Sequence, residues 1–245
     1  MNKENKLLLP KTFTESTWEW MGKPEEFKQF IGMPSISYSQ IEGFKNYYYG
    51  FIKSYLLGIR KSTIWIDFGS EVGKMFEHCG DVDMSDFKVV PEDTLDKLMP
   101  HFFDSTHEFE KPVYFTVDVE GEEVLFYGFI DVYKENKRLI DIKTANPSKF
   151  NQKFGKKSGY MQTKLYCYGL ENMGVDPPRE VGVFAIPRKG NNDKWGPVRV
   201  EGEPEYIATP YKREEVEEYI EYDIIPTIIK ISNINKIYKT YFDEQ

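Results

Sequence analysis

Between residues 112 and 144 the chain has little choice but to form strands. Pro112–Glu120 (PVYFTVDVE) alternates apolar and polar residues, and Glu123–Tyr133 (EVLFYGFIDVY) is rich in β-branched and aromatic residues. Arg138–Thr144 (RLIDIKT) resumes the pattern after Lys134-Glu135-Asn136-Lys137. Short runs of period two, separated by turn residues, predict a three-stranded meander.

Around this meander the period changes to that of helices. Pro34 and the serines of Ser35-Ile36-Ser37-Tyr38-Ser39 mark a helix start. The spacing of Ile41, Phe44, Tyr48, Phe51, Ile52 and Tyr55 predicts a helix from about Ser39 to Leu57. A second helix is expected from near Gly69, with Val72, Met75 and Phe76 on one face. Past the meander, Ser158–Asn172 reads as a helix and Glu180–Pro187 as a strand. Tyr206–Thr209 reads as a further strand and Lys212–Ile231 as a closing helix. Residues Met1 to about Glu15 are polar and interrupted by Pro10, and are expected to form a flexible arm. The order αβββαβ predicts an α/β fold with a mixed central sheet flanked by helices, as one domain over 1–245.

Composition removes several function classes. Forty Asp and Glu against 32 Lys and Arg give a formal net charge of −8, which argues against nucleic-acid binding over the whole surface. The two cysteines, Cys79 and Cys167, cannot supply the four thiolates of an iron–sulfur cluster, so none is expected. They are expected as reduced, buried thiols. No apolar run reaches the roughly 20 residues of a membrane-spanning helix. The apolar stretch at Leu7–Leu9 is too short for a signal-peptide core, and a cytoplasmic location is expected.

Two carboxylates stand where carboxylates are depleted. Asp131 lies inside Phe129-Ile130-Asp131-Val132, and Asp141 inside Leu139-Ile140-Asp141-Ile142. Alternation puts Ile130, Val132, Ile140 and Ile142 towards a core and both aspartates on the other face, with Lys143. If the hairpin loop is Glu135–Lys137, Asp131 lies directly opposite Asp141; a two-residue loop would put their faces in conflict. Opposed side chains have Cβ atoms about 4.5–5.5 Å apart. At about 5 Å and an effective dielectric of about 20, two such charges repel by about 3 kcal/mol. A divalent cation between them would relieve this, and without one the removal of Asp141 should stabilise the fold slightly. The alternative is a solvated sheet face with an ordinary Asp–Lys pair.

These residues resemble the PD-(D/E)XK nuclease superfamily, and within it the RecB-type and lambda-exonuclease-like branch. Gly128-Phe129-Ile130-Asp131 is similar to its G-x-I/V-D motif, Asp141-Ile142-Lys143 to its D-x-K strand, and Gln162-Thr163-Lys164-Leu165-Tyr166 to its Q-x-x-x-Y helix. Ser37-Tyr38-Ser39-Gln40-Ile41 resembles its serine-led first helix, and Phe68-Gly69-Ser70-Glu71-Val72 the opening of its metal-ligand helix. Many relatives carry a histidine four residues after that glycine; here it is Gly73, and Glu77 follows four further on. The resemblance therefore implies Glu77 as the helix ligand, with Glu71 and His78 as competitors.

The resemblance implies Mg²⁺ or Mn²⁺, one or two ions, held by Glu77, Asp131, Asp141 and the Ile142 carbonyl. Lys143 would orient or deprotonate the attacking water, or neutralise transition-state charge. Gln162 and Tyr166 share a helix face and would contact the substrate or position the lysine. From Ile142 to Leu170 there is no Asp or Glu. Lys149, Lys153, Lys156, Lys157 and Lys164 form a local basic island there, suited to phosphate contacts. Ser37 and Ser39 are further substrate-side candidates, as are Lys53, Arg60 and Lys61. Phe150, Phe154 and Tyr160 could stack on unpaired bases.

The expected activity is metal-dependent DNA hydrolysis, foremost by an exonuclease in recombination, repair or phage DNA processing. An endonuclease of the same fold is the near alternative. DNA is the expected partner, together with a recombination or single-strand-binding protein, and the chain would act as a monomer or a ring-forming homo-oligomer. A binding module that has lost catalysis is a second class, and an acidic protein-blocking factor a third.

Overall fold

The computed structural model describes residues 6–59, 62–155, 160–190 and 196–242. Its helices are α1 (Glu15–Trp20), α2 (Tyr38–Asn46), α3 (Tyr48–Phe51), α4 (Ile64–Glu77) and α5 (Asp93–Leu98). They continue with α6 (Phe150–Lys153), α7 (Gln162–Asn172), α8 (Arg213–Tyr219) and α9 (Ile225–Phe242). The strands are β1 (Ser35–Ile36), β2 (Glu108–Val119), β3 (Glu122–Lys134) and β4 (Arg138–Ala145), then β5 (Glu180–Lys189), β6 (Arg199–Val200) and β7 (Glu205–Ala208). Among the described residues no helix is long and apolar enough to cross a membrane.

The chain packs as two compact units. The first takes residues 1–61, 112–128 and 213–245; the second takes 62–111 and 129–212.

In the first unit, β1 pairs in parallel with β3 at Leu125 and Phe126. Residues 6–13, expected as a flexible arm, are packed instead: Leu7, Leu9 and Phe13 are buried. The Leu7 amide donates to Glu122, the Leu8 amide to Ser232 Oγ, and Asn235 donates to the Leu8 carbonyl. The polar look of the arm concealed apolar anchors at alternate positions. Phe13 meets Phe27 and Tyr127 in an aromatic cluster. The expected helix over 39–57 starts earlier, at Tyr38, with Ser37 as its N-cap. It breaks at Tyr47 (φ −140°) before α3 and the π-turn over Ile52–Leu56.

In the second unit, β3 and β4 run antiparallel through Val132↔Ile140, Tyr133↔Leu139 and Lys134↔Arg138. The loop is Glu135-Asn136-Lys137, with Asn136 left-handed at φ 56°, a conformation asparagine tolerates. β4 and β5 are parallel over eight residue pairs, and β6 and β7 pair antiparallel with β5. This is the expected α/β arrangement with a mixed sheet.

Helices cover both faces of this sheet. Helix α4 begins at Ile64, five residues before the expected start, because Thr63 caps it by accepting from the Ile66 amide. Its Phe68, Val72, Met75 and Phe76 pack on Val132, Ile140, Phe184 and Ile186. The opposite face carries Asp141, Lys143, Ala145, Val183 and Ala185, with Phe150, Phe154 and Ile207 packed on its apolar part. Helix α7 lies against β4 and β5.

Candidate active site

The three-residue loop sets the register, and the register brings the aspartates together. The residues next beyond the Val132↔Ile140 pair are Asp131 and Asp141. Asp131 Oδ2 accepts the Ile142 amide at 2.6 Å. Asp141 is fully buried, and its two oxygens are held separately. Lys143 Nζ lies 2.7 Å from Oδ1, and the Tyr160 hydroxyl lies 2.7 Å from Oδ2.

Electrostatics single out Asp131. Burial, followed by the Asp141 charge, pushes Asp131 up to about 7. Burial alone would lower Lys143, but Asp141 and Asp131 outweigh it and leave the lysine raised, as a firm cation.

A chain of polar groups leads away from Asp141. Tyr160 Oη is 2.9 Å from Gln162 Oε1, and Gln162 Nε2 is 2.8 Å from Tyr166 Oη. The Tyr160 hydroxyl faces both Asp141 and Gln162, and the Gln162 amide donates to Tyr166. Gln162 and Tyr166 are both buried, on the face of α7 predicted for them. Burial, then the Asp141 charge, raises the Tyr166 phenol well above its ordinary value.

Other expected residues fall differently. Glu77 is exposed at the end of α4, where its charge acts on Glu110. Its competitor Glu71 is committed elsewhere: its carboxylate accepts the amides of Lys88, Val89 and Val90 at 2.9–3.0 Å. His78 is exposed as the C-cap of α4. Lys149 and Lys153 are exposed, whereas Lys164 is buried within α7 and does not belong to a solvated island. Lys156 and Lys157, like Arg60 and Lys61, lie outside the described residues. Phe150 and Phe154 are buried in the core and are not offered to bases. In the first unit, Ser37 is engaged in the capping box with Gln40, and Ser39 is exposed. Cys79 is exposed and Cys167 buried, both as free thiols.

Two residues were not placed at the carboxylates by the sequence: Tyr160, expected to stack on unpaired bases, and Glu110. Tyr160 touches Asp141 directly. Glu110, left-handed at φ 50°, is raised by partial desolvation and by the charges of Glu77 and Asp141, while Lys143 acts against the shift. Beginning β2 at Pro112 left Glu110 outside it. With the strand extended to Glu108, the signal that exposed Asp131 and Asp141, a carboxylate within a strand, picks out Glu110 too.

This donor set is anionic, oxygen-rich and served by one close lysine, which suits a hard divalent cation. Among the described residues, no three acidic, histidine or cysteine side chains converge closely enough to enclose an ion as they stand.

No protein-family model matches the chain, and neither does any curated protein. Its fold is similar to the crystal structure of the "Putative exonuclease" from Eubacterium rectale, with a TM-score of 0.54 at 14% identity, covering 92% of this chain and 88% of that one. The alignment with the crystal structure of SSO0001 has a TM-score of 0.41 at 15% identity over 87% and 88% of the two chains, too low to support an argument. At such identities the likeness concerns the fold alone, and it agrees with a restriction-endonuclease-like α/β arrangement.

Proposed function

We propose that the chain is a metal-dependent DNA nuclease of the PD-(D/E)XK type, acting foremost as an exonuclease in recombination, repair or phage DNA processing. The observation that carries this reading is the buried Asp141, held between Lys143 and Tyr160 beside an Asp131 whose charge is disfavoured. A purely structural sheet face has no use for two adjacent carboxylates that resist ionising together. The exonuclease description of the Eubacterium rectale structure is in keeping with it.

Asp131, Asp141 and the Ile142 carbonyl would hold Mg²⁺ or Mn²⁺, with Glu77 or Glu110 completing the set. When bound, the ion would activate water and neutralise phosphoryl charge. The protein's own groups divide the remaining work. Lys143 keeps a positive charge where negative charge develops on phosphorus. Tyr160, backed by Gln162 and Tyr166, fixes the Asp141 carboxylate. In the reaction, a water oxygen bonds to phosphorus, the ester P–O bond breaks, and a proton ends on the departing hydroxyl.

The test is one plasmid, closed circular and linearised, incubated with Mg²⁺ or Mn²⁺ and the wild type, Asp141→Ala or Lys143→Ala. Loss of the linear form alone, abolished in both variants, is expected. Nicking of the circle would make the enzyme an endonuclease. Intact DNA under every condition would defeat the nuclease reading.

A further inference from the structure

The Asp141 carboxylate is held from two sides, and the two holders are not equivalent. Lys143 Nζ lies 2.7 Å from Oδ1, and the Tyr160 hydroxyl 2.7 Å from Oδ2. Rotation of an aspartate carboxylate about its terminal bond is soft, so a donor on each oxygen is what stops it. Lys143 reaches Asp141 on a flexible four-carbon stem, and its side chain is 34% exposed. Tyr160 reaches it on a rigid ring.

That ring is itself braced. Phe154 meets it edge-on, with centroids 5.3 Å apart and ring planes at 89°. Phe154 lies 6.3 Å from Phe150, and both are buried in a cluster with Ala145, Val183, Ala185 and Ile207. Helix α6, which carries both phenylalanines, has four residues. So short a helix is not held by propensity, and its aromatic anchors hold it instead.

The strand pairing shows where those anchors stand. Val183 is the β5 partner of Asp141, and Ala185 that of Lys143. The brace therefore rests on the sheet patch adjoining the carboxylate that it serves. From Asp141 the contacts run through Tyr160 and Phe154 to this cluster, and the strand pairing leads back to Asp141.

We propose that Tyr160 is a positioning residue for Asp141, that Phe154 is its brace, and that together they preset the carboxylate for a divalent cation. A carboxylate oxygen has two lone pairs, so a donor on each oxygen leaves room for an ion. A carboxylate already held in place has less freedom to lose when the ion binds, and the affinity is higher for it. The assignment rests on the nuclease reading above for its ion. It adds two residues outside the acidic set that govern how tightly the ion is held.

The test is calorimetric titration of Mn²⁺ into the full chain without nucleic acid, for wild type, Tyr160→Phe and Phe154→Leu. Tyr160→Phe deletes the hydroxyl and keeps the ring. Its Mn²⁺ affinity should fall by about 10–100-fold, the range for a lost partner of a metal ligand. Phe154→Leu keeps the hydroxyl and an apolar contact but removes the edge-on ring, and should weaken binding by less. A loss of packing alone would lower the melting temperature in EDTA and leave the Mn²⁺ affinity of the folded protein at the wild-type value. That outcome for Tyr160→Phe overturns the proposal, and so does a wild type that takes up no Mn²⁺. Wild-type affinity in Phe154→Leu overturns the brace, and the whole proposal if Tyr160→Phe does not fold. Tyr160-dependent Mn²⁺ binding in a protein that leaves DNA intact would uphold the positioning role and defeat the nuclease reading. Cleavage by a wild type whose Mn²⁺ affinity is indifferent to Tyr160→Phe would do the reverse.

Discussion

At the scale of single residues, the two aspartates differ sharply. Asp141 is paired, and its removal would leave Lys143 without its nearest counter-charge. The stabilisation expected for removing an aspartate therefore passes to Asp131. Its native pKa of about 7 lies above the roughly 3.9 of an unfolded aspartate. Between those values the native state holds a proton that the unfolded state has released, so stability falls as pH rises from about 4 to 7 and levels off above. In EDTA, wild type should lose more melting temperature between pH 5 and pH 8 than Asp131→Asn does. Asparagine retains an oxygen for the Ile142 amide, so the comparison isolates the charge. Parallel pH profiles for the two proteins would refute the assignment.

At the scale of elements, α4 shows how one helix divides its labour. Its apolar stripe forms the core, Glu71 ties down the segment 88–90, and Glu77 is left at the exposed end. Glu71→Gln should cost roughly 1–3 kcal/mol, the price of amides left without a carboxylate. Hydrogen exchange should speed up selectively at Lys88, Val89 and Val90, while cleavage measured at a temperature where the variant is folded stays near wild type. Lost cleavage with unchanged exchange would make Glu71 the metal ligand after all. The β3–β4 hairpin was legible in advance because a three-residue loop and two apolar faces allow one register. The start of β2 was not, because Pro112 carries no amide hydrogen and looks like a boundary.

At the scale of the whole molecule, each unit gathers segments remote in sequence. The first depends on α9, whose Ser232 and Asn235 hold Leu8. A chain ending at Lys212 should therefore release residues 6–13, and trypsin should cut at Lys11 much faster than in the full chain. Equal cutting rates would mean that the arm is held without α9.

What the amino-acid order determined alone is what depends on near neighbours. The strand periods, the hairpin register, the pairing of Asp131 with Asp141 and the shared face of Gln162 and Tyr166 all follow from spacings of a few residues. Tertiary structure decided what depends on distant groups. Asp141 receives Tyr160 from 19 residues away, Glu71 captures amides 17 to 19 residues on, and Leu8 meets Ser232 across 224 residues. Arg188 reads as an ordinary strand-end arginine until folding sets it against Trp65 and buries its Nε. Spacing can assign a side chain to a face, but burial and partnership belong to the packed molecule, where desolvation and distant charge set the chemistry.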